Sequence, residues 1–545
     1  MNESPNRQRL FVIRCAIFLL PILALAPFAT KPYQADDHVN IWVAEQIAKS
    51  PFVFFGFDLD YRSARSPIYE GNHNPPGISY VLALVGVLTD WNIVALHLAM
   101  SLFAGLAALG TFELARDLSA RGVAAAVTAV LTPAFLVSAS ALMTDVALLA
   151  FYVWAVVAWR RGCERASWWW LCFAAVCAAI APVMKLYGVT LRPLLLLDGF
   201  MRRPGVRWWW LWLLVPVGVF GGFQAYMYTR YGVLPIFDAA GVASASHWRA
   251  NEIASTRPML TLVFLGGSML PLGIVAAMRA GLRWSLGIAG FIVIACLPVF
   301  GGYSFIQLWI GASELFPPTV LMHVGVFSIV GLLLIAGTVR SLPGVARRDL
   351  PLVLAWLCGT LVFAVFINHY INVRAILPLL PVFAVVLCLR EIRRLPFVAM
   401  VASGVLVSMW TLVADEDVAQ HAARVALERA AAEDVPLYYV AFWGFEYHLM
   451  DGGAGPLAFE EKTSFAEPAL PLMEPGSLLI VDAYARAAWT PPPRGFEVIE
   501  EIHEPYTLAA TNFDTAAHAG FYWHGIGLLP FRLRYTKRET LLLLR

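Results

Sequence analysis

Apolar runs of roughly 20 residues recur from Leu10 to about residue 413, each closed by a short basic or polar stretch. A helix of about 20 residues crosses the ~30 Å hydrocarbon core of a bilayer. The pattern therefore predicts about thirteen spans, near 10–30, 92–115, 122–140, 145–160, 167–184, 187–200, 208–228, 259–278, 284–301, 318–339, 350–367, 375–390 and 395–413. Several are short for a full crossing, which predicts tilted or broken helices. Only helices and closed barrels satisfy every backbone polar group inside lipid. The expected class is a mainly α, polytopic helical membrane protein.

Three stretches interrupt the pattern: 31–91, 229–258 and 302–317. The first begins with an amphipathic segment over 37–50, where Val39, Trp42, Val43 and Ile47 share one stripe. It continues through Asn74-Pro75-Pro76-Gly77 into a short apolar run ending near Leu88. That run is read as a re-entrant or interfacial helix, because a full crossing there would invert every later basic loop. After residue 413 the spans stop. The last roughly 130 residues show short strand-like runs at 436–442, 477–481, 496–499 and 540–544, with Gly and Pro turns between them. The expected division is a transmembrane unit over 1–413 and a small α/β unit outside the membrane over 414–545.

Composition sharpens this. Charged residues make up 14% of the 545-residue chain and hydrophobic ones 59%, where a soluble domain carries about a quarter charged residues. The formal net charge of +2 leaves no footprint for nucleic acid. The seven cysteines show no disulfide framework and no metal spacing. Arg7, Arg9 and Arg14 make a basic start to the first apolar run, which is long enough to be a retained anchor. Further basic clusters at 116–121, 160–165, 202–207, 279–283, 340–348 and 390–394 place those loops in the cytoplasm by the positive-inside rule. The three interruptions and the tail then lie on the opposite side.

Ionisable residues beside the membrane on that outer side are expensive and therefore candidates for function. Asp36 and Asp37 stand before the amphipathic helix, where one carboxylate suffices as a cap and a second suits a general base with a supporting acid. Asp145 opens a span and is favoured there by the helix dipole, with Thr144 as the candidate cap. Lys185 and Arg374 are cations on the side that the basic bias avoids. Lys185 is read either as a snorkelling side chain or as a partner for a phosphate, while arginine suits bidentate phosphate binding. His73 and Asn74 lead into the Pro-Pro turn.

Taken together these patches resemble the GT-C superfamily of polyprenyl-phosphate-sugar-dependent glycosyltransferases. That group includes protein O-mannosyltransferases, the aminoarabinose transferase for lipid A and lipopolysaccharide galacturonosyl transferases. Asp36-Asp37 resembles the family's acidic pair, Asn74-Pro75-Pro76 its double-proline segment, and Thr144-Asp145 its third acidic position. Lys185 and the run from Arg374 to Pro381 resemble its two cationic positions. The second acid here is Asp where the family usually has Glu, and Ala375 follows the arginine where an aromatic residue is common. The resemblance implies inverting transfer from a polyprenyl-phosphate sugar to a glycan, lipid or protein acceptor. Asp36 would be the base and Asp37 its support, with Lys185 and Arg374 on the donor phosphate. Asp145, His73 and Asn74 would orient substrate. A divalent cation is the one cofactor in question, with Asp37 and Asp145 as its candidate ligands. By analogy with bacterial members, the site and tail would face the periplasm from the inner membrane. The tail's Gly520-Phe521-Tyr522-Trp523-His524-Gly525 cluster fits either an acceptor contact or a packed aromatic corner.

Two other classes share the composition. A secondary transporter or flippase is also polytopic, but usually shows internal repeats and broken-helix sites near mid-membrane. No repeat of fixed period is present here, and the candidate charges gather at one face. A non-catalytic assembly protein needs no cations set against an acidic pair. Convergence of Asp36, Asp145, Lys185 and Arg374 separates the enzyme from both.

Overall fold

A computed structural model describes residues 4–545, apart from 35, 62–63, 73, 203–204, 206, 248–255, 301, 310–314, 369, 417–419, 441–442, 457–473, 475, 482–495, 504–509, 512, 515–517, 524–526 and 534–539. Each predicted span has helix at its place. Among the described residues, seven helices are long and apolar enough to cross a membrane: Arg7–Phe28, Ile93–Asp117, Thr144–Glu164, Trp209–Tyr231, Pro318–Gly344, Leu350–Ile367 and Arg394–Ala414. Two further spans are bent pairs, Gly122–Val130 with Pro133–Ser140 at 61° and Thr256–Ser268 with Leu272–Ala280 at 113°. Proline lacks the N–H that would continue the helical ladder, and Pro133 and Pro271 stand at these breaks. The apolar helices Trp168–Met184 and Leu282–Cys296 are shorter. The runs expected at 187–200 and 375–390 are interrupted: a 3-10 turn, Leu186–Thr190, precedes the helix Leu191–Arg202, and the short helices Val373–Ile376 and Leu379–Leu387 flank Pro378. The chain is an integral membrane protein. Its large exposed side chains are those of a lipid-facing surface, with Leu88 74% and Trp169 86% exposed.

The Thr144–Glu164 helix runs through the centre of the bundle. Of its apolar window, 89% is buried inside the protein, so neighbouring helices rather than lipid surround it. Its two ends carry different chemistry. Near its C-terminal end Arg160 and Arg161 enter a network of charges. Arg161 Nε donates to Asp117 at 2.9 Å and its guanidinium also bonds Glu113. Arg160 Nη1 donates to Asp349 at 3.0 Å. Arg202 bonds Asp198 at 2.8 Å and Glu164 at 2.6 Å, and also reaches Asp349. Arg14 of the first helix donates to Glu113 at 2.7 Å. Basic residues of five segments, with Arg116 on Glu113 and Arg348 on Glu164 completing the set, thus meet acids at one end of the bundle. Its N-terminal end, with Asp145, lies some 22 Å away at ~1.5 Å per residue.

At that opposite end the interruptions fold over the helix ends. The amphipathic helix is Asp37–Lys49, with Val39, Trp42, Val43 and Ile47 buried as the stripe predicts. An antiparallel hairpin follows, Asp58–Tyr61 against Ala64–Pro67, which hydrophobic patterning does not announce. The Pro-Pro turn leads into the helix Gly77–Thr89. At 1.5 Å per residue this helix is about 20 Å long, short of a ~30 Å crossing. It buries Ile78 and Leu82 and exposes Leu84, Val87 and Leu88.

The tail forms a five-stranded sheet in the order Gly455–Pro456, Leu437–Val440, Leu478–Val481, Thr540–Leu544, Val498–His503. The first three strands run parallel, and Thr540–Leu544 is antiparallel to both of its neighbours. Alternation along the strands sends Leu478 and Ile480 to a face covered by Ala422, Ala426 and Ala430 of the helix Gln420–Glu433. Leu479 and Val481 pack on the other face with Val440, Leu542 and Leu544. Four of these five strands fall where the sequence predicts, and the edge strand Gly455–Pro456 was not foreseen. The segment around 519–533, however, packs away from this sheet: Phe521 and Tyr522 join the main bundle core, and Leu529 and Phe531 pack with Met259, Val263 and Phe327.

Candidate active site

Four of the predicted residues meet at the N-terminal end of the central helix. Asp36 stands at the N-cap position of the Asp37–Lys49 helix but makes no capping hydrogen bond. Its carboxylate instead accepts from Arg374 Nη1 at 3.2 Å. The capping explanation for Asp36 therefore does not apply. Asp37 is fully buried, and its Oδ2 accepts from the Gln34 backbone N–H at 3.1 Å. The pair divides its labour: Asp37 folds the turn that presents Asp36.

Asp145 is buried in the first turn of its helix and accepts a hydrogen bond from Lys185 Nζ. Met143, not Thr144, occupies the cap position, and no side chain caps this helix. Asp145 Oδ2 has no hydrogen-bond partner among the described residues. The two ion pairs adjoin. Arg374 Nη1 also lies 3.0 Å from Met143 Sδ, and the Arg374 charge acts on both Asp36 and Asp145. Arg374 Nε likewise has no partner among the described residues. The cluster thus holds two carboxylates, two cations and spare hydrogen-bonding capacity on each kind.

Local sequence explains how each cation is presented. Lys185 ends the Trp168–Met184 helix, and the chain turns at once into the 3-10 segment. That turn needs Gly188, where a Cβ would lie 2.4 Å from Pro182 N. The Pro-Pro turn packs from outside: a Cβ on Gly77 would lie 2.5 Å from the Val183 carbonyl oxygen, so only glycine allows this approach. Arg374 sits in the short helix Val373–Ile376, capped by Asn372, whose side chain accepts from Ala375 N at 2.7 Å. Before it, the Leu350–Val362 helix widens into a π-helical turn, Phe363–Ile367, a local geometry often found at functional sites. Arg257 closes that turn, donating to the carbonyls of Val365 (2.6 Å) and Asn368.

The tail reaches the cluster from two sides. Tyr447 packs edge-on against Tyr33 at 4.8 Å between centroids and tilts against Trp42 at 6.1 Å. His448 hydrogen-bonds the Tyr33 backbone. Burial, aided by the charges of Asp37, Glu45 and Asp451, pushes the Tyr33 phenol up to about 12, so it stays neutral at any ordinary pH. On the other side, the Val373 N–H donates to the Phe521 carbonyl at 3.2 Å, and the Tyr522 ring lies 5.5 Å from the Arg374 guanidinium carbon.

Other predicted residues do not join. Asn74 is exposed, its backbone N–H donating to Asn72 Oδ1 at 3.0 Å, and among the described residues no hydrogen bond joins it to the cluster. His73, like His524 and Gly525, lies outside the described residues. The proposed metal ligands do not assemble: Asp145 is engaged by Lys185, and among the described residues no three His, Cys, Asp or Glu side chains are grouped to hold an ion. Met143, Asn372 and Arg257 were not foreseen. A thioether and a backbone-capping amide leave no charge signature in a sequence, although Arg257 before Pro258 in an otherwise apolar span was a signal of the same kind as Lys185.

Residues 73–228 match the family model for dolichyl-phosphate-mannose-protein mannosyltransferases. The GT-C resemblance holds. The matched segment contains the Pro-Pro turn, Asp145 and Lys185, while Asp36 and Arg374 lie on either side of it. Among solved structures, ArnT from Cupriavidus metallidurans in the apo state is 15% identical over 91% of this chain and 97% of that chain, with a TM-score of 0.46. The structure of the same protein bound to undecaprenyl phosphate is 17% identical over 91% and 96%, with a TM-score of 0.44. No curated protein matches the chain by sequence.

Proposed function

We propose that this chain is a GT-C-type membrane glycosyltransferase that moves a sugar from a polyprenyl-phosphate donor to an acceptor hydroxyl outside the cytoplasm. The observation that carries the proposal is the meeting of Asp36 with Arg374, and of Asp145 with Lys185, at the end of the bundle away from the basic network. A polyprenyl tail is too apolar to leave the bilayer, so its phosphate must be met at the membrane surface by residues held on helix ends.

In this scheme Arg374 and Lys185 bind the donor phosphate. The incoming phosphate takes over the Arg374 N–H groups and releases Asp36. Asp36 then accepts the proton of the acceptor hydroxyl as the oxygen attacks the anomeric carbon. The carbon–phosphate-oxygen bond breaks on the opposite face, its electron pair passes to the phosphate, and configuration inverts. Charge grows on the leaving phosphate during this step, so cations held in place beforehand stabilise the transition state more than the ground state. Asp37 keeps the Asp36 turn in shape. Asp145 holds Lys185, and its second oxygen is available to a sugar hydroxyl. Among the described residues no ligand set for a metal ion assembles. The acceptor is a glycan, a lipid or a protein side chain. The site and tail face the periplasm or exterior of a bacterial inner membrane, as the distribution of basic loops supports.

The test is sugar transfer by membranes carrying the wild-type chain or Asp36→Asn, with radiolabelled polyprenyl-phosphate sugars and a panel of acceptors. Transfer by the wild type and its loss in a normally inserted variant supports the scheme. Transfer retained in Asp36→Asn removes Asp36 as the base.

A further inference from the structure

We propose that Tyr522, nearly 490 residues after Asp36, is a positioning residue for Arg374, so that the C-terminal segment completes the donor-phosphate site. The inference rests on the assignment of Arg374 to the donor phosphate made above.

Three consecutive tail residues meet the segment that carries Arg374. The Phe521 carbonyl accepts from the Val373 N–H at 3.2 Å. The Tyr522 ring stands 5.5 Å from the Arg374 guanidinium carbon. Trp523 packs on Tyr370 with centroids 5.0 Å apart. Tyr522 is itself buried, 5% exposed, among main-bundle core residues. Its ring is therefore fixed before any ligand arrives.

The need for such a residue follows from arginine's length. Its side chain is flexible, and phosphate recognition gains from a guanidinium already held in one plane. In the resting structure Asp36 holds one N–H group of Arg374. If a phosphate displaces that carboxylate, the group that oriented the guanidinium is lost at the moment of binding. An aromatic ring attracts a cation through its π face and leaves the N–H groups free. Tyr522 thus holds Arg374 in both states, whether its polar partner is Asp36 or the phosphate.

A plain docking role is the alternative: Tyr522 fastens the tail, and Arg374 is a bystander. The two are separable, because the same tail segment is fastened elsewhere. Arg532 donates to Thr319 Oγ1 at 2.7 Å, in a contact with no part in the cluster.

The experiment measures binding of undecaprenyl phosphate, against undecaprenol as the phosphate-free control, to the full chain in lipid nanodiscs. Wild type, Arg374→Ala, Tyr522→Phe, Tyr522→Leu and Thr319→Val are compared, each checked by size-exclusion profile. The expected result is phosphate-dependent binding by wild type and its loss in Arg374→Ala. Tyr522→Leu weakens binding by about three- to thirtyfold, the span of a cation–π contact, while Tyr522→Phe and Thr319→Val stay near wild type. Wild-type affinity in Tyr522→Leu overturns the inference and leaves the proposed function intact. Equal losses in Tyr522→Leu, Tyr522→Phe and Thr319→Val also overturn it, in favour of docking alone. If wild type ignores the phosphate, or Arg374→Ala binds as wild type does, the donor-site assignment fails and takes the inference with it.

Discussion

The two ends of the Thr144–Glu164 helix use the same side-chain chemistry to opposite effect. At its C-terminal end the charges form a web. Glu113 meets Arg14, Arg116 and Arg161, and Asp349 meets both Arg160 and Arg202. At its N-terminal end they form separate pairs, Asp36 with Arg374 and Asp145 with Lys185. In a web, each charge keeps a partner when one contact opens, so the arrangement fixes helices in place. In a single pair, one partner can be exchanged for a ligand. Connectivity, rather than burial or residue type, separates the structural cluster from the candidate site.

The comparison can be broken most forcefully at its functional end. Asp36→Asn should lower sugar transfer by about 10²–10⁴-fold, the usual contribution of a general base, with an unchanged melting temperature in detergent. A parallel fall in melting temperature would mean that the pair is structural after all. At the other end the expectation reverses. Asp349→Ala leaves buried arginines short of a partner and should cost about 3–5 kcal/mol of stability, read by thermal or chemical unfolding. Activity per folded molecule should stay the same. Loss of activity without loss of stability would place function in the web.

A smaller effect sharpens the site itself. Lys185→Met should raise the donor KM, and Asp145→Asn should do the same less strongly. A double-mutant cycle on transfer kinetics should show coupling between them on the order of 0.5–3 kcal/mol, as for residues in contact. Additive losses would show that Lys185 and Asp145 act on different groups.

The smallest effect concerns the tail. Burial lowers the pKa of His448, a shift only partly opposed by its bond to the Tyr33 backbone and by the Asp451 charge. As pH falls, the unfolded chain therefore takes up this proton before the folded one does. The contribution of His448 is fully present above the unfolded value of about 6.5 and is lost as pH falls through the lower folded value. Unfolding measured from pH 7.5 to 5 should show this slope in the wild type and a flatter one in His448→Gln. Identical slopes would remove His448 as a source of acid sensitivity.

The spans were legible because lipid imposes one length on every crossing helix, so apolar runs closed by basic residues locate them without reference to tertiary structure. The run at 375–390 is the weakest of them, broken at Pro378. The bends were only half legible: Pro133 and Pro271 mark where a helix must break, but 61° and 113° are set by what each half packs against. The tail strands stood out through their apolar runs, whereas the hairpin after the amphipathic helix has strands of four residues each, Asp58–Tyr61 and Ala64–Pro67, with Leu59 as their one aliphatic residue larger than alanine. Of the site, the individual charges were visible because ions beside a bilayer are rare. Their pairing was not, since Asp36 and Arg374 stand 338 positions apart. The part played by Tyr522 was hidden for the same reason, and because an aromatic residue in a Gly-rich turn reads first as packing.

The position of Tyr522 also has a consequence in time. Asp36 is made near the start of synthesis and Tyr522 near its end. At roughly 5–20 residues per second, the ribosome takes about half a minute to a minute and a half to pass from one to the other. Throughout that interval the nascent protein already holds its first acid in a membrane rich in lipid, while the last wall around Arg374 has yet to be translated. On the proposed role of Tyr522, a half-made copy would bind the donor phosphate more weakly, and a copy truncated before the aromatic turn would do the same.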